Sequence, residues 1–303
     1  MNTQALSIPA VRTRTSDFVQ LTKPRLNALA VATTIGGFYM AAGGPGSPAP
    51  GTDWNGWLLF HTIVGTALVA GGSAAFNQNA ARVTDGLMRR TRVRPLPDGR
   101  MQAADAAWFA TILSAAGLLQ LAAGANLVAA AVALVTLVTY VAVYTPMKRR
   151  SPLSTVVGAV PGALPPLIGW AAVRGSLEPV SWVLFAIGFL WQLPHFLAIA
   201  WLYRDDYARA GFPMLPVIEP DGRSTGRQAV AYAAALVPVS IAPTAFTLAG
   251  PWYFAAAFGL SAVFLALAIR FAWTRSTASA RWLFFGSILY LPLLWAAMIA
   301  DKA

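Results

Sequence analysis

Asn77, Ala81 and Asp85 stand four residues apart, so on a helix they share one stripe. An amide oxygen and a carboxylate on one face, followed by Arg89, Arg90, Arg92 and Arg94, suit a hard cation held together with a phosphate anion. Mg2+ takes oxygen ligands, typically one or two carboxylates with the remainder from substrate phosphates. A plainer use of the same residues is a helix-end ion pair between Asp85 and Arg89. Lys148-Arg149-Arg150 places three consecutive cations at a helix end. Such a run either anchors the helix among lipid headgroups or neutralises a departing diphosphate. Trp191-Gln-Leu-Pro-His195-Phe196 carries a histidine in an apolar stretch, and Arg204-Asp205-Asp206-Tyr207 adds a second acidic point. A histidine inside a helix is more often a hydrogen-bonding core residue than a ligand. No residue in these stretches is an obvious general base.

The elements that must position these groups are membrane helices. Of 303 residues, 57% are apolar and 11% charged, against about 25% charged in ordinary soluble domains. Apolar stretches long enough to cross a bilayer recur at 26–44, 57–79, 104–123, 126–145, 154–173, 180–203, 228–249, 251–270 and 282–300. Backbone polar groups in lipid must satisfy one another, and no stretch alternates as a barrel strand would, so these are helices. The fold class expected is all-α, a polytopic membrane protein with nine transmembrane helices in a single domain over 1–303. The third and fourth spans, and the seventh and eighth, are close enough in sequence to form tight hairpins. Gly158 and Gly162 have the spacing that lets helices approach closely.

All of the 22 Lys and Arg residues except Arg174 and Lys302 fall on one face of this nine-span arrangement, Arg12, Arg14, Lys23 and Arg25 among them. The positive-inside rule makes that face cytoplasmic, with the N-terminus inside and the C-terminus outside. The net charge of +11 follows mostly from this asymmetry and suits anionic headgroups of the bilayer, not nucleic acid. The absence of cysteine excludes thiolate chemistry and Cys-ligated metals. No signal-type apolar core occurs in the first 25 residues, and 1–20 is expected to be a flexible cytoplasmic tail.

Four segments resemble the UbiA superfamily of intramembrane prenyltransferases, in its branch that farnesylates protoheme IX. They are Leu21-Thr-Lys-Pro-Arg25; Asp85-Gly-Leu-Met-Arg-Arg-Thr-Arg-Val-Arg-Pro-Leu-Pro97; Gly158-Ala-Val-Pro-Gly-Ala-Leu-Pro-Pro-Leu-Ile-Gly-Trp170; and Trp191-Gln-Leu-Pro-His-Phe196 with Asp205-Asp-Tyr-Ala-Arg-Ala-Gly211. The resemblance implies a UbiA-type helical bundle in a bacterial inner membrane and Mg2+ as cofactor. It implies farnesyl diphosphate as donor, protoheme IX as acceptor, and a downstream heme A synthase as a partner. It further implies metal ligation by Asn77, Asp85, Asp205 and Asp206, with Asn77, Asp85, Lys148 and Asp206 acting in catalysis. Lys23, Arg25, Arg90, Arg94, Arg149, His195, Arg204 and Tyr207 are implied as substrate-binding, His195 toward the heme iron and Arg204 toward a propionate. One departure stands out: the family's first acidic motif resembles Asn-x-x-x-Asp-x-x-x-Asp, and here Ala81 occupies the middle position and Val83 another that is commonly acidic. Gln78, Asn79 or Asp205 would have to compensate. Two other readings are an aromatic or quinone-precursor acceptor, and a non-catalytic relative or a transporter.

Overall fold

The computed structural model describes residues 13–43 and 55–303; Arg12 and the rest of 1–12 lie outside the described residues, as does the end of the first expected span at 44. The regular structure of the described residues is helical: α1 (Arg14–Leu21), α2 (Pro24–Ala41), α3 (Gly56–Leu87), α4 (Ala103–Gly124), α5 (Leu127–Val138), a π-helical turn (Thr139–Tyr144), α6 (Thr145–Met147), α7 (Ser154–Ala163), α8 (Pro165–Arg174), α9 (Pro179–Leu202), α10 (Arg204–Arg209), α11 (Leu215–Ile218), α12 (Arg223–Ala245), α13 (Pro251–Thr274) and α14 (Thr277–Ala300). Among the described residues the β-structure is limited to an isolated bridge between Ala249 and Lys302.

Helix starts are set by local chemistry. Asn55 accepts from the backbone N–H groups of Trp57 and Leu58 at the head of α3, and Asn126 from that of Ala129 at the head of α5. Pro24, Pro179 and Pro251 begin α2, α9 and α13, where a missing N–H costs no helical bond. Eight segments are long and apolar enough to cross a membrane: α3, α4, Leu127–Met147, Ser154–Arg174, α9, α12, α13 and α14. α2 takes the ninth place in the bundle by packing. Its apolar run is diluted by Arg25, Asn27, Thr33 and Thr34, but Thr34, Gly36, Gly37, Phe38 and Met40 are buried against protein. It crosses α8 closely, the Thr34 hydroxyl donating to the Pro165 carbonyl at 3.1 Å. α2 and α8 supply residues to both main apolar clusters, one built on α9 and α12–α14 and the other on α3–α5.

Two of the expected spans are present as crossings but carry a local irregularity, and two other expectations need correction. The fifth span is two helices, broken at Leu164, because Pro165 and Pro166 remove two backbone donors, although Leu164 itself keeps a helical backbone. The fourth span widens into the π-helical turn just before Pro146, whose ring cannot sit over the carbonyl four residues back in a regular α-helix. The seventh and eighth spans are joined by five residues, 246–250, a looser hairpin than the α4–α5 pair. Residues 14–20, expected in a flexible tail, are helical. Thr13 caps α1, Leu21 is buried, and Asp17 is 5% exposed in an ion pair with Arg100 at 3.1 Å.

Candidate active site

A cavity of about 340 Å3 runs through the bundle, lined by α2, α3, the π-helical turn, α7, α9 and α14, and is of ordinary size for a small-molecule site. On α9 alone its lining extends from Leu184 to Ala200, about 24 Å at 1.5 Å per residue. Most of the wall is apolar or aromatic. Lys148 and Tyr207 mark its charged end, and His195, Trp191 and Trp295 lie within it.

The charged end assembles from four separate pieces of chain. α3 continues eight residues past the expected end of its span at 79, which carries Asp85 into the cluster beside Asn77, at 2% and 6% exposure. Beyond α3, the Thr91 hydroxyl donates to the Asp85 carbonyl at 2.7 Å and folds the following loop back. That fold brings Arg94 Nη1 to 2.6 Å from Asp85 Oδ2, so the carboxylate's partner is Arg94 and not Arg89. Between α1 and α2, Lys23 has φ +47°, a conformation uncommon for a residue with a Cβ. The Gln78 amide donates to the Gln20 and Leu21 carbonyls at the end of α1, which holds that turn in place. Lys23 Nζ thereby reaches Asn77 Oδ1 at 3.0 Å. The π-helical turn supplies the last piece: Asn77 Nδ2 donates to the Thr145 hydroxyl at 3.0 Å, which itself donates to the Tyr140 carbonyl at 2.7 Å. Lys148 follows one turn later, its ammonium 4.9 Å from the centre of the Phe212 ring.

Electrostatically the cluster carries excess positive charge. Burial, reinforced by Arg94 and Lys148, pushes Lys23 down to about 7. Burial also lowers Lys148, partly offset by Tyr207 and Asp85. Arg90 opposes the charging of both lysines and stacks over Tyr203 at 4.8 Å. Two arginines and two lysines whose charging burial opposes thus face one carboxylate, an arrangement short of negative charge.

The structure brings together Lys23, Asn77, Asp85, Arg90, Arg94, Lys148 and Tyr207. It keeps others apart. Asp205 is 89% exposed, 3.9 Å from Arg204. Asp206 is largely covered and paired with Arg209. Arg204 stacks on Trp201 at 4.6 Å instead of lining the cavity, and Arg25 and Arg149 are exposed. The substitutes for an acid at Ala81 are committed elsewhere: Gln78 to α1, Asn79 to the Ala103 carbonyl at 3.1 Å, and Asp205 to solvent. Gly158 and Gly162 act in packing, since a Cβ on Gly158 would lie 2.6 Å from the Tyr144 ring. Gly162 faces the Gln192 amide, which donates to the Ala159 carbonyl at 3.0 Å. Thr91 and Thr145, overlooked in the sequence, are short hydroxyl residues beside the motifs. Their only signal was that adjacency.

Among the described residues no three His, Cys, Asp or Glu side chains form a metal cluster. The donor set nevertheless fits a metal that arrives with a diphosphate. Asn77 Oδ1 and Asp85 Oδ2 each hold a cation, Lys23 and Arg94. A divalent ion alone would have to force both cations aside in a cluster already positive. A diphosphate gives Lys23 and Arg94 new oxygen partners and frees the two ligands.

Known proteins share both sequence and fold with the chain. The Solibacter usitatus protoheme IX farnesyltransferase is 47% identical over 293 residues, covering 94% of this chain and 98% of the relative. The Myxococcus xanthus protoheme IX farnesyltransferase is 43% identical over 303 residues, covering 100% and 99%. Among solved structures, that of digeranylgeranylglyceryl phosphate synthase superposes with a TM-score of 0.78 at 16% identity, over 95% of this chain and 98% of the other. A UbiA homolog from Archaeoglobus fulgidus bound to GPP and Mg2+ gives 0.62 at 15% identity, over 93% and 99%. At such identities the superpositions speak for the fold alone. The UbiA prenyltransferase family itself matches residues 30–291, and with those full-length relatives the match establishes that this chain belongs to the UbiA prenyltransferase family.

Proposed function

We propose that this chain transfers the farnesyl group of farnesyl diphosphate to a vinyl group of protoheme IX, yielding heme O and diphosphate. The observation that carries the reading is the long apolar cavity whose wall includes Lys148, a member of the basic cluster around Asp85 and Asn77. The names of the full-length relatives support the choice of donor and acceptor.

In this reading Lys23, Arg90, Arg94 and Lys148 grip the diphosphate while the isoprenoid lies along the cavity. As the allylic C–O bond breaks, its electron pair passes to diphosphate oxygen, where the four cations stabilise the growing charge. Asn77 and Asp85, together with the diphosphate, would hold Mg2+, which would supply Lewis-acid neutralisation of the same leaving group. The apolar walls keep bulk water from the allylic cation until the acceptor's vinyl pair forms the new C–C bond. One water then captures the resulting carbocation and loses its proton to a diphosphate oxygen, giving the hydroxyethylfarnesyl substituent. Tyr207 packs beside Lys148, and His195 lies deeper, on the acceptor's side. The basic face is cytoplasmic and the C-terminus lies outside, in a bacterial inner membrane, where a heme A synthase is the natural consumer of the product.

The test is product mass. Membranes containing the chain, supplied with protoheme IX, farnesyl diphosphate and Mg2+, should form heme O, and EDTA should abolish it. Ala81 favours a second reading, a non-catalytic relative with a depleted acidic motif. Product appearing only in Ala81→Glu would support that reading, and no product in either would reject both farnesyl transfer and a decayed metal site.

A further inference from the structure

Arg100 stands outside the charged cluster and ties together the two pieces of chain that feed it. Its Nε donates to Asp17 Oδ2 at 3.3 Å, with Nη2 3.1 Å from Oδ1, so the guanidinium meets the carboxylate side-on. Nη2 also donates to the Val93 carbonyl at 3.3 Å, and Nη1 meets Asp98 at 2.5 Å. Asp17 belongs to α1 and is nearly fully buried. Val93 immediately precedes Arg94. The Asp98 and Arg100 N–H groups donate to the Arg94 and Pro95 carbonyls, both at 3.0 Å, and close the same segment on itself. One largely buried ion pair therefore joins the helix that runs into the Lys23 turn to the loop that carries Arg94.

Those two cations have no hold on each other. Lys23 bonds to Asn77 and Arg94 to Asp85, about two turns apart on α3. Arg94 opposes the charging of Lys23. Repelling groups that must grip one diphosphate need to be fixed in advance by the structure behind them. A plainer role for the pair is to fasten α1 to the bundle, but other contacts already do that. Leu21 and Phe18 pack with Ala75, Met101 and Ala106, the Phe18 and Phe109 rings lie 4.9 Å apart, and Arg14 pairs with Asp105 at 3.1 Å. A buried ion pair adds little stability over apolar packing of the same volume, and its best-attested use is to fix register. We propose that Asp17 and Arg100 are positioning residues for the diphosphate site. Their ion pair braces the Lys23 turn against the Arg94 loop, so that both cations meet the donor at a fixed separation. The inference rests on the donor being a prenyl diphosphate. Neither residue lines the cavity, and each acts through a cation of the cluster.

The test is the affinity of the purified full-length chain for farnesyl thiodiphosphate with Mg2+, beside its affinity for ferric protoheme. Asp17→Asn should weaken binding of the donor analogue about 10- to 100-fold, the scale of a misplaced binding group, and leave protoheme binding unchanged. With Lys23→Met already in place no separation is left to fix, and Asp17→Asn should then add less than about twofold. Arg14→Ala, which breaks the other, exposed pair on α1, should leave both affinities as in the wild type. The double variant Asp17→Asn/Arg100→Gln leaves no charge buried alone and should show the same donor defect, which keeps the test open where the single variant does not fold. A merely structural pair would weaken both ligands alike, or add its full factor to that of Lys23→Met. Either result, or unchanged donor affinity in Asp17→Asn, overturns the inference. If the wild type makes heme O in that case, farnesyl transfer stands and only the brace falls. A wild type that binds no donor analogue overturns both.

Discussion

The two ends of the cavity are built on opposite principles. At the charged end the polar atoms are already engaged with one another: Asp85 with Arg94, Asn77 with Lys23 and Thr145. Deeper in the bundle, His195 has one nitrogen fixed by Ser287 and the other left open. The first end is self-neutralised and must exchange partners to bind. The second is held rigid by a ring contact on one side and faces the cavity on the other. A buried carboxylate stripped of its partner is costly, about 3–5 kcal/mol for a broken buried pair, so Asp85 cannot be kept bare while waiting for a metal. A neutral imidazole nitrogen costs far less to leave open, about 1–3 kcal/mol, and can be presented in advance.

That contrast breaks most sharply at Asp85. Asp85→Asn should lower kcat/KM for farnesyl diphosphate by about 10^2- to 10^3-fold, the scale of losing one preorganised electrostatic group. Steady-state kinetics in detergent, with helix content checked by circular dichroism, would show it. Activity within a fewfold of wild type would mean that the exchange at the charged end is not part of catalysis.

Gly158→Ala probes the wall between the ends. Its Cβ would press on the Tyr144 ring within the segment that positions Lys148. Overpacking of this kind costs about 1–3 kcal/mol, visible as a lower thermal midpoint. Unaltered stability with normal activity would show that the π-helical turn has slack. The smallest effect should come from Asp205→Asn. The side chain is 89% exposed, and a surface change of this sort stays within about 0.5 kcal/mol, about twofold in rate. A large loss would bring Asp205 back to the charged end in the ligand-bound state.

Much of this was readable from residues alone, and unevenly. Each crossing helix declares itself in a run of apolar residues, because a bilayer imposes length and composition on every span separately. The break at Leu164 and the π-helical turn before Pro146 were not foreseen, although the prolines causing them stand in plain view. Run-length reading ignores where a missing donor falls. Asn77 and Asp85 were legible since four-residue spacing survives any rearrangement of the surrounding loops. Arg94 as the partner of Asp85 was not, because it depends on the fold that Thr91 imposes on a loop. Lys23 likewise depends on a left-handed backbone turn held by Gln78. Ser287 was invisible for a different reason. It is a small polar residue in an apolar helix, 92 positions from the histidine it meets.

The account's central claim is that the two ends bind different substrates. The most direct measurement is the affinity of the purified chain for farnesyl thiodiphosphate, an unreactive donor analogue, in Asp85→Asn and His195→Gly with Mg2+ present. The account predicts that binding collapses in the first and is retained in the second, with ferric protoheme showing the reverse order. Equal loss of the donor analogue in both variants would contradict it, and would make the cavity a single undivided site.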